Sequence, residues 1–113
     1  MKKGRVIYVK GEDISVLEAD DSTIQKLIGV RSIKQTPDGF AIVHSAELMN
    51  TEGEVACALV AELIGRHITG QAIICKCSSI DNNNIDLVPL QITDINALSH
   101  RVRLPNDIIK AFQ

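Results

Sequence analysis

Cys75 and Cys77 stand two residues apart in the run Gln71-Ala72-Ile73-Ile74-Cys75-Lys76-Cys77, and with Cys57 they are the three thiols of the chain. In a strand, that spacing puts both sulfurs on one side of the sheet, roughly 7 Å apart. Two thiolate ligands for a metal can be arranged so. Structural zinc sites, however, use four ligands and bring cysteines together on a turn. Cys57 with His44 or His67 would have to complete the set. The plainer reading is that these are small apolar core residues, and no metal site is expected.

A nucleophilic cysteine needs a base and an oxyanion hole, and His44, His67 and His100 are the only histidines. None stands in a local catalytic signature. His44, in Ile42-Val43-His44, reads as a sheet-surface residue. His67 reads as a partner for the last carbonyls of a preceding helix. The phosphate-loop, dinucleotide, zinc-protease and nucleophile-elbow patterns do not occur. No catalytic residue and no cofactor is expected.

Arg101 and Arg103 offer a different chemistry. In His100-Arg101-Val102-Arg103, alternation sets two guanidiniums on one side of an extended segment, a fork suited to a phosphate or carboxylate. They are the candidate ligand-binding residues, weighed against a merely solvated tail. At the other end, Glu12, Asp13, Glu18, Asp20 and Asp21 fall in eleven residues that hold no Lys or Arg. An acidic edge and a basic edge are expected.

The whole chain has 113 residues, 45% of them apolar, which suits one domain with a packed core over residues 1–113. Twelve Lys and Arg against 14 Asp and Glu leave a net charge of −2, so no general phosphate-binding surface follows. Aromatic residues are 3% and Trp is absent, which removes a base-stacking platform. Nucleic acid is therefore not an expected partner. The apolar stretch behind Met1-Lys2-Lys3-Gly4-Arg5 is broken by Lys10, Glu12 and Asp13, so neither a signal peptide nor a membrane span is read. Three cysteines in no disulfide-scaffold spacing point to a reducing, cytoplasmic location.

Arg5–Val9 and Ile14–Glu18 are β-rich runs separated by hairpin-like residues. Asp20-Asp21-Ser22 can cap a short helix carrying Ile24, Leu27 and Ile28, with Gly29 as its stop. Val30–Thr36 and Phe40–Ser45 flank Pro37-Asp38-Gly39, a second hairpin. Thr51-Glu52-Gly53-Glu54 has capping-box spacing and opens a helix whose stripe includes Val55, Leu59 and Leu63, up to Gly65. Gln71–Cys77 is a central strand, Ser78–Asn84 a surface loop. Thr93 can cap a helix over Asp94–Arg101. Pro105 or Asn106 starts a helix over residues 105–113 that turns Ile108, Ile109 and Phe112 inward. This order predicts an α+β fold: a mainly antiparallel sheet of two hairpins and a late strand, with helices on one face.

Leu27-Ile28-Gly29-Val30, the strands around Pro37-Asp38-Gly39, Glu52-Gly53 leading to Ala56-Cys57, and Ile68-Thr69-Gly70-Gln71-Ala72-Ile73-Ile74 together carry a resemblance. Over residues 5–78 the chain resembles an uncharacterised family of small phage- and plasmid-borne bacterial proteins. The family's strand-side acidic residue and its Asn-Arg pair near the second helix are missing. The resemblance supplies no catalytic residues and implies a mobile-element accessory protein. The expectation is a non-enzymatic binding module acting on a host protein or an anionic small ligand. Alternatives are a Cys-dependent enzyme and a structural assembly subunit. The early hairpin leaves strand edges that a homo-oligomer, most simply a dimer, would cover.

Overall fold

A computed structural model describes residues 4–10, 13–28, 31–36, 39–45, 71–81 and 84–113. The helix read from Thr51 to Gly65, together with Cys57 and His67, lies outside the described residues. Six strands and three helices are described: β1 (Gly4–Lys10), β2 (Asp13–Ala19), α1 (Asp21–Ile28), β3 (Arg31–Gln35), β4 (Phe40–Ser45), β5 (Gln71–Asp81), β6 (Asn84–Val88), α2 (Ile92–Ser99) and α3 (Asn106–Ala111).

The two early hairpins form where the sequence places them. β1 and β2 pair without interruption from Gly4 opposite Ala19 to Lys10 opposite Asp13. β3 and β4 are joined through Gly39, whose φ of 95° is open to a residue without a Cβ. There the Thr36 N–H donates to the Phe40 carbonyl at 2.8 Å and the Gly39 N–H to the Thr36 carbonyl at 3.1 Å. Between the hairpins, Asp20 caps α1. Its carboxylate accepts from the Thr23 N–H at 2.8 Å and the Thr23 hydroxyl at 2.9 Å, and its carbonyl accepts from Ile24 at 3.1 Å.

β5 is the long central strand. The sheet order is β2-β1-β5-β4-β3, and β6 also pairs with β5. Lys76 has Phe40 of β4 opposite it on one edge and Val88 of β6 on the other. β6 therefore shares an edge of β5 with β1, the two strands meeting end to end. At that junction the Leu90 N–H donates to the Arg5 carbonyl at 3.4 Å. A Cβ on Gly4 would lie 3.1 Å from the Pro89 Cα, a contact tight enough that one of the two backbones would have to shift by a few tenths of an ångström.

The segment expected to be a surface loop, Ser78–Asn84, is therefore largely a third hairpin. Its polar side chains obscured a pairing made by the backbone, to which the Ser78 hydroxyl adds a 2.6 Å bond to the Asp86 carboxylate.

Alternation along the strands divides the core in two. Ile7, Val9, Phe40, Ile42, Ala72 and Ile74 pack with Leu90, Ile95, Leu98, Val102, Leu104, Ile108 and Phe112, all buried. On the opposite face Val6, Ala41, Val43, Ile73 and Cys75 pack with Ile24 and Ile28 of α1. The α+β class with an antiparallel sheet holds, but the helices do not share a face as expected: α1 covers one side, α2 and α3 the other. The reason lies in the strands, which present apolar residues at consecutive positions and so need cover on both faces. Among the described residues no helix is long and apolar enough to cross a membrane.

Candidate functional site

Arg101 and Arg103 lie in the link between α2 and α3, and the position of α2 puts them there. The expected helix of Asp94–Arg101 runs instead from Ile92 to Ser99. Its start is set by Asp94, whose carboxylate accepts the Gln91 backbone N–H at 2.8 Å and holds the Lys76 ammonium of β5 at 2.9 Å. At the far end the N–H groups of Arg101 and Val102 close onto the Leu98 carbonyl at 3.0 and 3.1 Å. Pro105 disfavours helix at Leu104 and draws the link into extended backbone. Its own carbonyl then accepts from Ile108 at 3.0 Å to begin α3.

Burial fixes the direction of the link. Val102 is 4% exposed and Leu104 6%, both sunk into the core beside Leu98 and Ile108, whereas Arg101 and Arg103 are exposed. Two apolar anchors thus hold the link, and Arg101 lies in the turn that closes α2 rather than in the extended segment read from the alternation. With Ser99, His100 and Ile109, the two arginines line an open groove of about 390 Å³. Sequence reading missed the contributions of Ser99 and Ile109. Ile109 is half-buried on a separate helix, and only the turn at Pro105 brings it under the link.

Ser99, His100, Arg101 and Arg103 stand exposed around this groove with Ile109 half-buried, and the Ser99 hydroxyl donates to the Asn96 carbonyl at 2.8 Å. Guanidinium forks match the planar geometry of carboxylate and the oxygens of phosphate, and a partly apolar wall lowers the competing hydration. Family models, curated proteins and solved structures offer no match to this chain.

The thiols lie elsewhere. Cys75 is fully buried on the α1 face, its Sγ 3.6 Å from the Ala41 carbonyl oxygen. Cys77 packs half-buried against the same cluster, as the two-residue spacing requires. Burial pushes the Cys77 thiol up, a hydrogen bond with the Gln35 side chain opposes this, and the nearby Asp86 charge raises it further. Such a thiol carries less thiolate at neutral pH than a free cysteine. Among the described residues no group of three or more His, Cys, Asp or Glu side chains is placed to hold a metal ion.

His44 corrects a second expectation. Read as a sheet-surface residue, it is 1% exposed. β4 is an inner strand between β3 and β5, where His44 stands opposite Ser32 and Ala72. An inner strand of a sheet covered on both faces has no solvent side. His100 is exposed and belongs to the arginine groove.

Proposed function

We propose that this chain is a non-enzymatic binding module that engages an anionic group, on a host protein or a small ligand, through Arg101 and Arg103. The observation that carries the reading is the anchored link: Val102 and Leu104 are buried, and the arginines between and beside them face one groove. Preorganisation lowers the entropy lost when a ligand is clamped. In the alternative of a Cys-dependent enzyme, the raised thiol of Cys77 makes that residue the weaker nucleophile. The resemblance over residues 5–78 supports an accessory role in a phage or other mobile element, acting in the cytoplasm. A homo-oligomer, most simply a dimer, is the form we assign to it, because among the described residues β2, β3 and β6 each pair with one strand only.

Nuclear magnetic resonance titration with citrate and with inorganic phosphate at low salt tests the groove. Backbone shifts are expected at residues 99–104 and 109, weakening as salt rises. They should vanish in an Arg101→Ala, Arg103→Ala variant. An equal response from that variant would remove the arginines from the function.

A further inference from the structure

We infer that the ligand of the groove between α2 and α3 is an acidic peptide in extended conformation, held by main-chain hydrogen bonds to the Arg103–Leu104 segment as well as by its carboxylates. The inference rests on the anion reading above and narrows it to a peptide. Its basis is the main chain of the link. Among the described residues the N–H and C=O groups of Arg103 and Leu104 make no hydrogen bond, although both flanks do: the Val102 N–H closes onto the Leu98 carbonyl, and the Pro105 carbonyl accepts from Ile108 and Ile109. Leu104 is only 6% exposed, and main-chain groups at such burial are paired in the great majority of cases.

These groups select the class of ligand. An ionised carboxylate only accepts hydrogen bonds, so it answers the N–H groups and leaves the carbonyls unmet. A peptide offers a donor and an acceptor at every residue. In extended backbone the N–H and C=O of one residue point to the same side, so a peptide laid in the groove exchanges both bonds with whichever of Arg103 and Leu104 turns its pair that way. Pro105 continues the extended course, with φ −60° and ψ 145°, and ends the run of donors because it has no N–H.

Charge and shape fit the same occupant. The residues around the groove, 99–104 and 109, include two arginines and no carboxylate. Among the described residues the exposed Arg103 side chain has no ion pair or hydrogen bond. Acidic side chains of a peptide meet the arginines, and its aliphatic side chains meet the half-buried Ile109. Small-molecule sites enclose most of their ligand, whereas this groove is open, which suits a chain that runs on past it.

Calorimetry, resonance shifts and amide hydrogen exchange on the full chain test this with four probes at one low ionic strength: the blocked peptide acetyl-Glu-Leu-Glu-Leu-Glu-amide, the same peptide with Gln for every Glu, the same peptide with its inner amides N-methylated, and citrate. The acidic peptide is expected to bind about tenfold or more tighter than citrate, and to slow exchange at the Arg103 or Leu104 amide where citrate does not. The Gln and N-methylated peptides should each bind about tenfold or more weaker than the parent, as should the parent with Arg103→Ala, a change at an exposed position whose fold circular dichroism checks. Shifts at residues 99–104 with citrate, together with an acidic peptide that binds no tighter and slows neither amide, overturn the peptide assignment while the anion reading stands. A Gln or N-methylated peptide that binds as well as its parent also overturns it. No response to any probe overturns both.

Discussion

The guanidinium of Arg5 lies 4.6 Å from the centroid of the Phe112 ring. The same side chain donates from Nη1 to the Ala111 carbonyl at 2.9 Å. One residue of β1 thus holds the end of α3 by its ring and by an otherwise unpartnered class of helix-terminal carbonyl. Since α3 has only six residues, its place on the sheet depends on Ile108, Phe112 and this clamp rather than on helical propensity.

Removing the clamp should therefore cost measurable stability. Arg5→Ala is expected to lose roughly 1–2 kcal/mol, from a cation–π contact and one charge-assisted hydrogen bond at a partly exposed site. Phe112→Ala is expected to lose about 3–5 kcal/mol, because the ring is buried. Urea denaturation of the two single variants and the double variant gives their coupling. Strict additivity would show that the two side chains do not act together.

Ile73 and Ile74 are adjacent and both fully buried, yet they support different layers. Truncating either to Ala should cost about 2–5 kcal/mol. Hydrogen exchange should separate them: Ile73→Ala should loosen α1 first, and Ile74→Ala should loosen α2 and α3. Identical exchange patterns would contradict the two-layer arrangement.

The junction of β1 with β6 predicts a penalty for a single methyl group. In Gly4→Ala the new Cβ meets the backbone of Pro89 at 3.1 Å, and the Leu90 to Arg5 bond limits how far that backbone can retreat. A loss of roughly 1–3 kcal/mol is expected from overpacking. Thermal unfolding measures it, and a variant as stable as wild type would mean the junction yields freely.

Alkaline pH should weaken the fold. Burial raises both the Cys77 thiol and the Tyr8 hydroxyl, the latter hydrogen-bonded to Gln71. In each case the unfolded chain loses its proton first. The stabilisation is complete below the ordinary thiol and phenol values, about 8.5 and 10, and is lost as pH rises through the higher folded values. Denaturation at stepped pH should show this decline, with a shallower one in Cys77→Ser and Tyr8→Phe. Cys75, fully buried, should react with a thiol reagent only on unfolding.

Local chemistry determined the elements whose boundaries depend on near neighbours. Asp20 starts α1 by accepting its first N–H groups, Gly39 turns the second hairpin by its positive φ, and Pro105 precedes α3 because proline cannot continue a helix from the residues before it. The exposure of Arg101 and Arg103 follows from their alternation with the buried Val102 and Leu104. Tertiary structure decided whatever depended on distant partners. Ser78–Asn84 became a hairpin because the backbone of β5 found β6, and Lys76 of β5 found Asp94 of α2 at 2.9 Å. His44 was buried because its strand lies inside a sheet covered on both sides, a fact its own neighbours do not carry. A period of two tells which residues share a face, but only the packed helices determine which faces are covered.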